Sequence, residues 1–168
     1  MKGPLASHLR QHSEPPYKLD SHAMPPFADV YVLAKSRTEA AVVEFLGHFA
    51  PQREQSADEY WIPQHADPPQ HIFQTATEVV AYCCNHPTET QPIYWRRVGD
   101  GEPAHLMVFF TSDAQLIFGL SVSENVADQF LAELRGHAHS DIGYIAFESP
   151  PPETAVEFRQ FAHRSSAR

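Results

Sequence analysis

Between Ala104 and Val122 the chain reads AHLMVFFTSDAQLIFGLSV, two apolar runs joined by a short polar turn. Both parities are apolar in each run. Leu106, Val108 and Phe110 alternate with Met107 and Phe109, and Leu116, Phe118 and Leu120 interleave with Ile117 and Val122. Successive strand side chains point to opposite faces, so these strands are expected at the centre of a sheet covered on both sides. Upstream, PIYWRRV over 92–98 reads as a third strand, and Gly99-Asp100-Gly101 supplies residues that tolerate positive φ in the turn between them. Three strands joined by short turns predict an antiparallel meander.

Around this centre helical and strand patterns alternate. Residues 29–34 (DVYVLA) form an aromatic and β-branched strand. Ser36-Arg37-Thr38-Glu39 has capping-box spacing, with Ser36 expected as the cap, and Val42, Phe45, Leu46 and Phe49 follow on one helix face before Pro51. EYWI over 59–62 is a short strand, and the proline-rich stretch 63–71 reads as loop. Thr75-Ala76-Thr77-Glu78 opens a second helix that Pro87 ends. A third helix is expected from an N-cap at Ser123 to a C-cap at Gly136, with Ala127, Phe130, Leu131 and Leu134 as its buried stripe. A strand over 143–148 and a proline-led helix over 153–162 complete the order β-α-β-α-β-β-β-α-β-α. The fold class is therefore α+β: a mostly antiparallel sheet of about five to six strands with helices packed on it. Residues 1–28 hold five prolines and three histidines without periodicity, and are expected as a disordered arm preceding a single domain over 29–168.

A chain of 168 residues can bury a core without disulfides or metal. Its longest apolar runs are far short of the roughly 20 residues that span a bilayer, and its start lacks the apolar stretch of a secretory signal, so a cytoplasmic protein without membrane contact is expected. The net charge is −9, and because residues 1–28 carry three cations against two carboxylates, the rest holds −10. Such a globule repels phosphate backbones, which disfavours nucleic acid and favours a basic partner.

The chemistry is less defined than the scaffold. No glycine-rich phosphate loop or GxSxG elbow occurs, and no cofactor is expected. Cys83 and Cys84 are adjacent on a helical pattern, which excludes a bond between them and suggests reduced thiols; a Cys83–His86 nucleophile pair is the sharper alternative. Among eleven histidines, His137, His139 and Asp141 alternate, and in an extended segment they would point one way and offer ligands to Zn²⁺ or Mn²⁺; a metal-dependent hydrolase built on them is the alternative functional reading. The paired aromatics Tyr60-Trp61 and Tyr94-Trp95 each place one ring inward, and read first as core packing; the sharper alternative is that the other ring of each pair anchors a partner. Arg96 and Arg97 suit internal ion pairs better than anion recognition.

The stretch HLMVFFTSDAQLIFGLSV resembles a strand–turn–strand signature of small acidic immunity-type proteins encoded beside bacterial polymorphic or contact-delivered toxins. GYIAFESPPPETAVEF is similar to the end of such domains and YVLAKSRTEAAVVEFL to their opening, so the likeness runs from about Asp29 to Phe161. The resemblance implies a non-enzymatic inhibitor that binds one cognate toxin, for which the acidic charge favours a basic domain, and transfers no functional residue. Under it, Glu59, Trp61, Trp95 and Asp113 are the candidate contact residues. A structural or adaptor role and a homodimer stay open.

Overall fold

The computed structural model describes residues 26–166, so nearly all of the expected N-terminal arm lies outside the described residues. The arm's expected boundary shifts: Phe27 and Ala28 belong to the first strand, and the Pro26 carbonyl accepts the Glu124 amide at 2.8 Å. The elements are β1 (Phe27–Leu33), α1 (Glu39–Phe49), β2 (Arg53–Gln55), β3 (Tyr60–Ile62), β4 (His71–Phe73), α2 (Ala76–Asn85), β5 (Gln91–Arg97), β6 (His105–Phe110), β7 (Leu116–Ser123), α3 (Ala127–Ala138), β8 (Gly143–Ala146) and α4 (Ala155–Ser166). Six strands form one antiparallel sheet in the order β2-β5-β6-β7-β1-β8, while β3 and β4 pair separately. The α+β expectation holds, and the β5-β6-β7 meander is present.

The two oily parities of the central strands are explained by two packed layers. Val30, Val32, Leu106, Val108, Phe118 and Leu120 face α1, α2 and α3 in the larger core. Phe45 of α1 is the centre of that layer: it is inaccessible to solvent and stacks on Phe118 with ring centroids 4.3 Å apart. Tyr31, Leu33, Met107 and Ile117 face the other way, where α4 contributes Ala155, Phe158 and Ala162. Gly119 lies between Tyr31 and Met107 in register. A Cβ there would stand 2.9 Å from two atoms of the Tyr31 ring and 3.1 Å from the Met107 Cβ, so glycine is what lets that ring lie flat on the sheet.

Helix boundaries depart from expectation at Ser36, Ser123 and Gly136. Thr38, not Ser36, caps α1, its side chain accepting the Ala41 amide at 3.2 Å. The Thr75–Glu78 capping box of α2 is complete. Ser123 makes no capping bond; its hydroxyl and amide go to the Glu102 carboxylate, and a 3-10 turn over Glu124–Val126 precedes α3. Gly136 lies inside α3, whose C-cap is His139 in the left-handed region at φ 51°. No helix among the described residues is long and apolar enough to cross a membrane.

Candidate functional site

The sheet's β5 edge is only half covered. β2 pairs with Trp95–Arg97 and then departs, its last contact being the Ser56 amide on the Tyr94 carbonyl at 3.0 Å. That bond fixes the outward side of β5: Pro92 shares Tyr94's parity, so its backbone nitrogen, which carries no hydrogen, faces the open edge. A proline there denies an added strand its hydrogen bond and leaves the edge to side-chain recognition.

Two adjoining hollows wrap this edge. One, of about 570 Å³, lies between the Pro63–Ala66 loop, the Glu89–Pro92 segment, Tyr94, Phe109 and the Pro150–Glu153 segment. The other, of about 330 Å³, is lined by residues including Glu59, Tyr60, Trp61, Gln91 and Tyr94. Gln64, Gln91, Pro92 and Tyr94 belong to both. Four aromatic rings connect the open edge to the covered part of the sheet. Tyr94 meets Phe109 edge-on at 5.8 Å, Phe109 meets Tyr31 at 5.8 Å, and Tyr31 meets Tyr144 at 5.9 Å. Tyr144 then packs on Phe158 of α4. Tyr94, 40% exposed, is the solvent end of this series. Burial, and then the nearby Asp29 carboxylate, raises its phenol above the ordinary value, so it remains a neutral donor at physiological pH.

The edge is acidic. Among the described residues lining the two hollows there are carboxylates at Glu59, Glu89 and Glu153 and no lysine or arginine. Glu59 accepts the Trp61 indole N–H at 2.8 Å, which holds an exposed aromatic ring beside an acid. Gln91 is 3% exposed and its Oε1 has no hydrogen-bond partner. Buried polar atoms are normally paired, so this oxygen is an exception on the face of β5 that Gln91 shares with Ile93 and Trp95.

Of the four candidate contact residues, the structure brings two together. Glu59 and Trp61 are both on the smaller hollow. Trp95 is 6% exposed and packs in the larger core, so the outward ring of its pair is Tyr94. Parity carried that signal: Tyr94 shares a face with charged Arg96, and Trp95 shares one with Ile93. Asp113 is occupied with structure. From the β6–β7 turn its carboxylate accepts the Ala155 amide at 2.9 Å and the Val156 amide at 3.3 Å, capping α4 from outside the helix. Burial pushes its pKa up, but those amides and the Thr111 hydroxyl outweigh it and hold the carboxyl below its usual value.

The metal alternative loses its geometric premise. The chain is helical through Ala138, and His139 turns left-handed, so His137, His139 and Asp141 do not alternate along an extended segment. Among the described residues no group of three or more His, Cys, Asp or Glu side chains is placed to hold a metal. His137 instead stacks on His48 at 5.0 Å, and His48 pairs with Glu133 at 2.9 Å. Burial and then the neighbouring His48 lower the His137 pKa. Cys83 sits in the core and burial pushes its thiol to about 12, too high to supply the thiolate a nucleophile needs. The His86 ring is turned to its own helix, its Nδ1 lying 2.7 Å from the Tyr82 carbonyl oxygen.

Arg37 was not singled out by sequence, yet it fastens the scaffold under the site. Its guanidinium donates to the carbonyl of Cys83 in the last turn of α2, to those of His86 and Glu89 just beyond it, and to those of Thr111 and Gln115 at the β6–β7 turn. Carbonyls at a helix C-terminus lack intrahelical donors, and a planar five-donor fork satisfies several at once. Arg96 pairs with Glu54 as expected, while Arg97 turns to the carbonyls of Phe49, Glu102 and Pro103. Comparison with known proteins finds no matching family model, no matching curated protein and no matching solved structure.

Proposed function

We propose that this chain is a non-enzymatic, cytoplasmic binding protein that neutralises a bacterial toxin by direct contact, and that the toxin domain it holds is basic. The observation that carries the reading is the β5 edge: exposed Tyr94 and Trp61 beside Glu59, Glu89 and Glu153, without a lysine or arginine in the lining among the described residues. Tyrosine and tryptophan supply large contact areas at low entropic cost, which makes them frequent energetic anchors at protein interfaces. Surrounding carboxylates steer a cationic partner and penalise acidic ones. A net charge of −9 extends the same preference to long range.

The sheet supplies the rigidity such an inhibitor needs. Tyr94 stands on a strand whose neighbour β6 is packed on both faces, so little ordering cost falls on binding.

Co-expression with the product of the adjacent gene tests the reading. The expected result is an equimolar complex on gel filtration whose association rate falls steeply as salt rises. Absence of a complex at low salt would overturn it.

A further inference from the structure

We propose that the C-terminal turns of α1 and α3 are joined by a proton-operated latch: the stacked rings of His48 and His137 accommodate one positive charge, and a second proton, taken up in mildly acidic medium, drives His137 off the core and frees the end of α3. His48 lies in the last turn of α1 and His137 in the last turn of α3. Their rings stack with centroids 5.0 Å apart, 26° from parallel. The two rings face different surroundings. His48 is exposed, and its Nε2 stands 2.9 Å from Glu133 Oε1. A carboxylate only accepts, so that nitrogen carries hydrogen and the bond strengthens when the ring is charged. His137 is half-buried and turned to phenyl rings, with Phe49 at 5.5 Å, Phe45 at 6.3 Å and Phe118 at 6.4 Å.

The charges around the pair suffice for one proton. Glu44 on α1 and Glu133 on α3 attract it, and the ends of both helices add the negative pole of their dipoles. Against a second proton on His137 stand burial first, then His48 itself, then His139, while Lys35 shares the lining of the adjoining hollow. Two imidazolium rings at 5.0 Å repel, and the inner one has the core on its other side. The same forces lower the His137 pKa. Its neutral ring therefore contributes stability above the ordinary histidine value of about 6.5, and that contribution is lost as pH falls below it. The hollow, of about 310 Å³ and lined by Ala34, Lys35, Ser36 and Glu44 besides His137, gives a charged ring open space to turn into. The cap it leaves behind is short: the His139 and Ser140 amides donate to the Gly136 and Arg135 carbonyls at the end of α3.

The test titrates the full ¹⁵N-labelled chain from about pH 8 to about pH 5, following each imidazole by its nitrogen shifts and the backbone by amide exchange corrected for the intrinsic rate. His137 should titrate below about 6.5. Over the same interval exchange at the His139 and Ser140 amides should rise severalfold while α2 keeps its protection. His137→Phe keeps a ring in place with no proton to gain, and should flatten that rise. His48→Gln retains a donor for Glu133 and removes the like charge, so His137 should titrate higher than in the parent chain and the rise should shrink. This second variant decides the matter if His137→Phe folds poorly. A His137 that titrates at or above the ordinary value, an exchange profile level from neutral to mild acid, or a rise that survives both substitutions would each overturn the latch. None of these readings needs a partner, so their failure leaves the binding-protein proposal standing.

Discussion

The two faces of the central sheet are built from the same strands and are finished differently. One is sealed by three helices around Phe45, which has no solvent exposure. The other is covered by α4 over β8 and β1 and then opens toward β5, where Phe109 is only partly buried and Tyr94 is 40% exposed. The first face carries the stability of the domain. The second leaves aromatic rings open beside acids, which is what the proposed recognition surface calls for. α4 is the cover of that second face, held at its start by a carboxylate borrowed from the β6–β7 turn.

The contrast breaks most visibly in a pair of truncations. Phe45→Ala should cost about 3–5 kcal/mol, because a void between three helices and a sheet has no element free to fill it. Phe158→Ala removes an equally buried ring, but only α4 rests on it. Urea unfolding followed at both faces should show global loss for the first variant. For the second, amide protection should fall in α4 while α1 and α2 keep theirs. Equal global losses would mean that the two faces are one cooperative unit.

Gly119→Ala probes the tight point between the layers and should cost about 1–3 kcal/mol, since the new methyl meets the buried Tyr31 ring and the Met107 Cβ. The matching measurement is the urea midpoint at constant m-value. A neutral result would show that Tyr31 can tilt, and the aromatic series to Tyr94 would then be looser than its distances suggest.

Acid should loosen the α4 side further. The Asp113 carboxyl is held below its ordinary pKa, so its contribution is full at neutral pH. It disappears as pH falls through the aspartate range, below about 4, toward the folded value. Glu78, lowered by the Thr75 hydroxyl and amide, acts in the same sense at the start of α2. Asp113→Asn separates the two: α4 amide exchange should become flatter with pH while α2 keeps its acid response.

Much of this fold was legible because periodicity reports burial. The doubly apolar meander, the Thr75–Glu78 box and the helix face around Phe45 follow from spacing alone. What escaped depends on contacts distant in sequence. β2 and β4 are three residues each, too short for a pattern, and exist through their partners Trp95–Arg97 and Tyr60–Ile62. Arg37 serves carbonyls 46 or more residues away. Asp113 is a loop residue until α4 is placed beside it. At the site, Glu59 and Trp61 were readable because Ile62 fixes the inward parity of their strand. Gln91 was not, since an unpaired amide oxygen is visible only once every neighbour is in place.

The smallest expected change in stability is the most informative about function. Tyr94→Ser deletes a ring whose recorded aromatic contact is one edge-on approach to Phe109, so unfolding should shift by about 1 kcal/mol or less. At an interface the same ring would be desolvated from every side and act as an anchor, and losing it should then weaken partner binding about thirtyfold, near the 2 kcal/mol of a hot spot. Trp95→Phe, on the opposite parity and in the core, is the control: it should lower stability and leave affinity alone. Calorimetric titration of the partner against both variants, beside their urea midpoints, separates the two roles. If Tyr94→Ser lowered stability as much as the core change and spared binding, the open face would be packing left incomplete, and the recognition surface would have to be sought elsewhere on the domain.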